Sequence, residues 1–127
     1  MSFADDIKKF AEKTGNNMED TVVTTIFQLN ELVVKRTPVD TGRARGGWVA
    51  SVGNPSSSKG SQDTSGSATI SKANRKAAGS VGNIYYLANN VEYIMLLEYG
   101  RSGQAPQGMA RISAQEIKQN MRNYVSK

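Results

Sequence analysis

A stripe of apolar residues that recur at steps of three and four dominates the N-terminal third of the sequence. This spacing places the residues along one face of an α-helix, and the stripe is longer than a usual β-strand. Pro38 disfavours helical geometry at Thr37, so we predict that this long helix ends near Arg36. The stripe consists of Met18, Val22, Ile26, Leu29 and Val33.

Two further segments have the spacing of amphipathic helices, one near each end of the chain. Ser2 can cap the first of them. Gly15 and Asn16 follow it. The sequence leaves open whether these two residues interrupt the helix, giving two separate helices, or only bend a single helix. The apolar positions are Phe3, Ile7, Phe10 and Ala11 in the first segment and Ala110, Ala114, Ile117, Met121 and Tyr124 in the second.

The segments between the long helix and the C-terminal helix predict a small sheet. Residues 47–52 have the alternation of a half-buried strand, and residues 81–87 are rich in β-branched and aromatic side chains. Residues 53–80 contain a single large apolar side chain, Ile70, which can bury too little surface to offset the cost of ordering. We therefore predict a flexible hairpin loop there, in which Thr69–Ser71 can pair briefly as a strand.

The order of these segments predicts a single α+β domain over residues 1–127. The long N-terminal helix and the C-terminal helix are expected to pack on a small antiparallel β-sheet, from which the flexible 53–80 loop extends. The apolar run 91–99 stays ambiguous, because its pattern fits a buried strand as well as a helical turn. Glycines and a proline between positions 100 and 106 predict a loop before the last helix.

The composition excludes most familiar catalytic chemistry. The chain has no cysteine and no histidine, so disulfides, thiolate metal sites and the commonest general base are absent. It also has no paired-carboxylate motif and no phosphate-binding glycine loop, so we predict that it is not an enzyme and uses no cofactor or metal.

No run approaches the roughly 20 apolar residues of a membrane span, and no signal region is present. A soluble, cytoplasmically made protein without a membrane partner is expected.

The basic charge of the chain is diffuse. The net charge is +5, yet the first 52 residues hold seven basic and seven acidic groups. The densest basic cluster is Lys72, Arg75 and Lys76, and no aromatic residues are interleaved with it for base stacking. A solvated basic loop is therefore favoured, and a small basic nucleic-acid-binding protein stands as the main alternative of another class.

Two stretches carry recognisable motifs: residues 37–48 read TPVDTGRARGGW, and residues 93–100 end in LEYG shortly before Ala105 and Pro106. Their order, after a long helix and before a final one, resembles the tailed-bacteriophage tail-completion or neck (head-tail joining) proteins of the minor tail protein Z-like kind. In that family the turn and strand precede a variable hairpin, and a proline-containing loop precedes the last helix. The family often has an aromatic residue where this chain has Met109, so methionine is expected to take its packing position.

The resemblance implies a structural virion protein that completes the tail end and joins the tail to the head. Related proteins generally assemble as rings around the tail axis, often as hexamers, although no residue of this sequence fixes that number. A lone protomer that assembles only on its partner is the alternative. The implied partners are therefore copies of the same chain, tail-terminator or tube proteins and head-connector proteins, with DNA passing non-specifically through the channel. A tail terminator that caps the tube is the alternative within the particle.

The turn after the long helix is predicted to be structural. Pro38 fixes one backbone dihedral, Asp40 can accept backbone hydrogen bonds, and Gly42 can adopt positive φ. Thr41 belongs to the same turn. Functionally, the turn would set the angle between helix and sheet and so place any interface that either carries.

Charged and aromatic residues near these motifs are the remaining candidates. Arg43 and Arg45 are predicted to pair with a carboxylate such as Glu98, or with one on a neighbouring subunit. Simple solvent exposure is the main alternative, and contact with DNA phosphates is a minor one. Glu98 lies among apolar residues, so we expect it to be a structural ion with a partner, since an isolated buried carboxylate is costly. The aromatic residues expected in either the core or an interface are Trp48, Tyr85, Tyr86, Tyr93 and Tyr99.

Overall fold

The computed structural model describes residues 2–127, which form six helices and a sheet of two strands. The strands pair antiparallel, with Ala50 opposite Leu87, and the predicted α+β class is confirmed. None of the helices in these residues is long and apolar enough to cross a membrane. In chain order the elements are α1 (Phe3–Thr14), α2 (Met18–Arg36), α3 (Arg43–Gly46), β1 (Trp48–Val52), α4 (Ser67–Ala78), β2 (Tyr85–Asn89), α5 (Ile94–Glu98) and α6 (Ala110–Val125).

Helices α1 and α2 are separate, which answers the question left open at Gly15. Ser2 and Asp5 form a reciprocal capping box at the start of α1. Gly15 takes a left-handed conformation with φ 77° and ends that helix. The side chain of Asn17 then accepts the N–H of Asp20 at 2.8 Å and begins α2. Residues 15–17 therefore separate two helices rather than bend a single one.

Helix α2 ends at Arg36, as predicted, but its buried face is more polar than the apolar stripe suggests. Thr21 and Thr25 are buried, and each hydroxyl donates to the backbone carbonyl four residues earlier, at 2.8 and 2.7 Å. These bonds satisfy the hydroxyls within the helix, so threonine can face the interior. Of the predicted stripe only Val33 is buried; Met18, Val22, Ile26 and Leu29 are exposed or half-buried.

Residues 67–78 form helix α4, and the prediction that they belong to a flexible loop is wrong. Thr69, Ala73 and Ala77 recur every fourth residue and are buried, where α4 packs between α2 and β1. Asp63 caps the helix, since its carboxylate accepts the N–H of Thr69 at 2.9 Å. The buried face consists of small side chains, so counting large apolar residues does not detect it.

Residues 53–66 have no regular secondary structure, yet they are tied to the rest of the domain. Ser61 donates its N–H to the carbonyl of Gly46 at 3.2 Å, and the Asn90 side chain donates to the carbonyl of Ser56 at 2.8 Å. The predicted hairpin with a strand at Thr69–Ser71 is also wrong, because that segment lies in α4.

Strand β2 begins later than predicted. Residues 81–84 form a turn, with the N–H of Asn83 donating to Ser80 at 2.8 Å, and the strand covers Tyr85–Asn89. The ambiguous run 91–99 contains the short helix α5, so the helical alternative is the correct one.

Helix α6 packs against α1 and α2 rather than on the sheet. The rings of Phe10 and Tyr124 lie 5.2 Å apart between α1 and α6, and Arg36 donates to Glu116 at 2.7 Å between α2 and α6. The predicted placement of this helix on the sheet is therefore wrong, and α4 takes that position.

The core lies between α2, the sheet and the start of α6. Val33, Ala105 and Met109 form its buried centre, and Met109 is fully buried. Methionine adapts well to irregular spaces between other side chains. Partly buried side chains pack around the centre, namely Trp48, Leu87, Ile94, Leu97 and Ala110.

Candidate protein-protein interface

The turn at residues 37–42 is anchored in the core by its first residue. Thr37 is fully buried; its hydroxyl donates to Val33 at 2.7 Å and accepts the indole N–H of Trp48 at 2.8 Å. This bond places Trp48 with the core. Within residues 2–127 no hydrogen bond reaches the Asp40 carboxylate, and Thr41 instead accepts the N–H of the residue two positions ahead, at 3.3 Å.

Gly42 closes this turn with backbone that only glycine adopts readily. Its φ is +86°, in the left-handed region. A Cβ at this position would lie 2.7 Å from the backbone nitrogen of Thr64. The glycine therefore permits both the chain reversal and the close approach of the 53–66 segment.

The two motif-bearing stretches lie side by side in the folded chain. The backbone of Val39 exchanges two hydrogen bonds with the side chain of Gln104, at 2.9 and 3.3 Å. The turn forms one wall of an open cleft of about 550 Å³, and Tyr93 and Leu97 line the same cleft. The turn therefore fixes the position of the segment that contains α5.

Glu98 is a buried carboxylate at the N-terminus of α6. It accepts the backbone N–H groups of Met109, Ala110 and Arg111 at 3.1, 2.9 and 3.2 Å. The Arg111 side chain completes the site, with its Nε 3.0 Å from the carboxylate. Burial by itself would raise the pKa of Glu98, but these donors outweigh it, and the pKa lies below its ordinary value.

Arg43 forms an ion pair with a carboxylate, as predicted, but the carboxylate is not that of Glu98. Its guanidinium lies 2.7 Å from Glu92, which also binds Lys59. The hydrogen bond from Lys59 is the main reason why the pKa of Glu92 falls to about 2. The predicted pairing of Arg43 with Glu98 within the chain is therefore wrong.

Arg45 donates to backbone carbonyls rather than to a carboxylate. Its guanidinium contacts the carbonyls of Thr37, Lys35 and Thr64 at 2.9–3.2 Å. These contacts join the end of α2 to the 53–66 segment, so the pairing predicted between Arg45 and Glu98 is also wrong. The role of the side chain is to hold the turn.

The four candidate tyrosines divide into interior and surface positions. The hydroxyl of Tyr85 donates to the Asn30 side chain at 2.8 Å, and burial raises the pKa of Tyr85 to about 12. Tyr86 is half-buried, whereas Tyr93 and Tyr99 are 36% and 65% exposed. Two of the four tyrosines, Tyr93 and Tyr99, therefore lie at the surface.

An exposed apolar surface lies on one face of helix α5. Met95, Leu96 and Tyr99 are 59%, 52% and 65% exposed, and their spacing puts them on one helical face. The opposite face packs into the core through Ile94 and Leu97. Sequence reasoning missed Met95 and Leu96 as surface residues, although helical spacing over 91–99 would have grouped them. We call this surface the α5 patch; its members are Tyr93, Met95, Leu96 and Tyr99.

A second apolar surface follows the N-terminal half of α2. It is a groove of about 390 Å³ between α2 and the turn that precedes β2. Most of the predicted apolar stripe lines this groove instead of the core. We call it the α2 groove; its apolar lining is Met18, Val22, Val23, Ile26, Leu29 and Val81.

Within residues 2–127 no three side chains of the metal-ligating types His, Cys, Asp and Glu are grouped to hold a metal ion. Comparison of the chain with protein-family models, with curated protein sequences and with solved structures finds no match.

Proposed function

We propose that this protein is a structural component of a tailed phage particle that completes the tail end and joins it to the head. The α5 patch is the observation that carries the proposal. Contiguous exposed apolar surface is uncommon on a protein that works alone, and aromatic residues and methionine are enriched at protein interfaces. The resemblance of residues 37–48 and 93–100 to head-tail joining proteins supplies the biological setting.

The α5 patch is held rigidly, as an interface anchor needs to be. Leu97 fixes one side of α5 in the core, and Glu98 binds the N-terminus of α6. The Arg111 guanidinium lies 4.3 Å above the Tyr99 ring and restricts that side chain as well. Little side-chain freedom would therefore be lost when a partner covers the patch.

Assembly into a ring requires two different surfaces on each subunit, because ring contacts are head-to-tail. The α5 patch and the α2 groove meet this requirement. Leu97 packs against the cluster that contains Val33. The groove runs along α2 from Met18 to Leu29, and its far end at Met18 is roughly 22 Å from Val33 along the helix axis. The charges are complementary, since Arg101 follows the patch and Glu19 lines the groove. We propose that the patch of one copy occupies the groove of the next.

Electron microscopy of phage particles made without this protein tests the proposed role. We expect filled heads and tails of normal length to accumulate separately. Overlong tails would favour a tail terminator instead, and normal infectious particles would contradict both roles. Supplying the wild-type protein should restore joining. The Leu96→Asp variant should fail to do so, whereas Val52→Asp, a matched change at an exposed apolar residue outside both surfaces, should succeed.

A further inference from the structure

A cavity lies between β1, α4 and the irregular segment before α4. Its volume is about 670 Å³. Three consecutive residues of β1 line it, namely Trp48, Val49 and Ala50. Successive side chains of a strand point to opposite faces, so a cavity that contacts all three of them meets the edge of the strand.

This edge of β1 has no neighbouring strand. Within residues 2–127 the sheet contains only β1 and β2, and every residue of β1 pairs with a residue of β2. The other edge of a strand in such a sheet presents backbone N–H and C=O groups that can accept an additional strand. The peptide groups on this edge of β1 are therefore paired with no other strand in residues 2–127.

The wall opposite this edge is basic. Lys72, Arg75 and Lys76 lie on one flank of α4 and line the cavity, and no acidic residue does so. Within the described part of the chain none of the three forms an ion pair. A ligand that fills the cavity would meet three positive charges without a compensating carboxylate.

We propose that this cleft binds an extended acidic segment of another protein, which pairs with β1 as a third strand and directs its carboxylates at α4. The open strand edge favours a peptide over a nucleic acid, because a peptide backbone supplies the matching donors and acceptors. Trp48, the one aromatic residue in the lining, packs against the core and donates its indole N–H to Thr37, so it offers no platform for a base.

The spacing of the basic residues specifies the pattern of the ligand. Lys72 and Lys76 are one helical turn apart, about 6 Å along α4. Side chains on one face of a strand repeat every second residue, roughly 6.6 Å apart. The ligand should therefore carry acidic residues at alternate positions. This inference does not depend on the proposed phage role.

Fluorescence anisotropy with the full-length protein tests the inference. The probe is a labelled short peptide that alternates glutamate with valine and threonine. We expect it to bind, and we expect the double variant Lys72→Glu, Lys76→Glu to weaken binding by about tenfold or more. The control variant Lys8→Glu, Lys127→Glu changes the net charge equally at exposed sites outside the cleft and should change binding by less than about twofold.

Two further probes separate strand pairing from simple charge attraction. A peptide of the same charge with proline at alternate positions cannot form the backbone ladder and should bind much more weakly. A thymidine oligonucleotide of equal charge should also bind more weakly. Equal binding of the proline peptide, tighter binding of the oligonucleotide, or an equal loss in the control variant would each overturn the inference. Amide hydrogen exchange gives an independent readout, since the peptide should protect the amides of Trp48–Ala50 that face the cleft.

Discussion

At the scale of single residues, Glu98 connects the exposed α5 segment to the last helix. Its carboxylate accepts three backbone N–H groups at the positive end of α6 and one bond from Arg111. The hydrogen bonds to a charged acceptor are the stronger kind, and their loss would leave buried donors unsatisfied. Glu98 should therefore stabilise the fold as well as orient the α5 patch.

We expect Glu98→Gln to lower the free energy of unfolding by about 1–3 kcal/mol. The control is Glu31→Gln, which removes an exposed carboxylate paired with Lys35 and should change stability by less than about 0.5 kcal/mol. Urea unfolding followed by circular dichroism measures both. Equal effects of the two substitutions would contradict the role given to Glu98.

The pH dependence of this effect has a definite sign. The pKa of Glu98 in the folded protein is lower than its ordinary value of 4.5. The contribution of the ionised Glu98 to folding stability is therefore fully present above pH 4.5. It is lost as the pH falls through the pKa that Glu98 has in the folded protein. The stability difference between the wild type and Glu98→Gln should stay constant near neutral pH and shrink below about pH 4.

The chemistry of these residues could be predicted better than their partners. The apolar sequence around Glu98 indicates that the carboxylate needs compensation, but not that Arg111 and the start of α6 provide it. That choice depends on how the loop before α6 returns to α5, which is a tertiary property. For the same reason Arg43 pairs with Glu92 and Arg45 with backbone carbonyls.

At the scale of elements, the helices with large apolar residues or clear stop signals could be predicted, and α4 could not. The end of α2 is dictated locally by Pro38, whereas α4 depends on contacts distant in sequence. Its buried residues Thr69, Ala73 and Ala77 supply little apolar surface. They are small enough for the helix to approach α2 and β1 closely, and this benefit appears only when those neighbours are in place.

The predicted apolar stripe of α2 illustrates a second limit of structure prediction from sequence periodicity. Helical spacing correctly identified the helix, but periodicity does not state what covers its apolar face. Met18, Val22 and Ile26 line an open groove, whereas satisfied threonines take the interior positions. The location of the α5 patch was missed because the run 91–99 could not be assigned to helix or strand.

Close packing of α4 can be tested with one enlarged side chain. Ala77 is 0% exposed, so Ala77→Leu should overpack the site and destabilise the protein by about 1–3 kcal/mol. Ala78→Leu places the same side chain at an exposed position of the same helix and should cost less than about 0.5 kcal/mol. Thermal unfolding compares the two. A mobile loop over residues 67–78 would tolerate both changes equally.

At the scale of the whole molecule, the protein presents two apolar surfaces and a basic cleft beside the sheet. The α5 patch and the α2 groove suit repeated contacts between identical subunits. Each copy can bind one neighbour through its patch and the other neighbour through its groove. The cleft suits a different, acidic partner. Such a division would let a ring form and still leave each subunit a separate attachment point.

The most direct test of this account is sedimentation velocity on two variants, measured separately and mixed. Leu96→Asp disables the α5 patch, and Met18→Asp disables the α2 groove; both residues are exposed, at 52% and 40%. The wild type should form a closed oligomer, and each variant alone should remain monomeric. Their mixture should form a dimer and nothing larger, because one intact patch then meets one intact groove. A monomeric wild type, or a mixture without dimers, would contradict head-to-tail assembly through these surfaces.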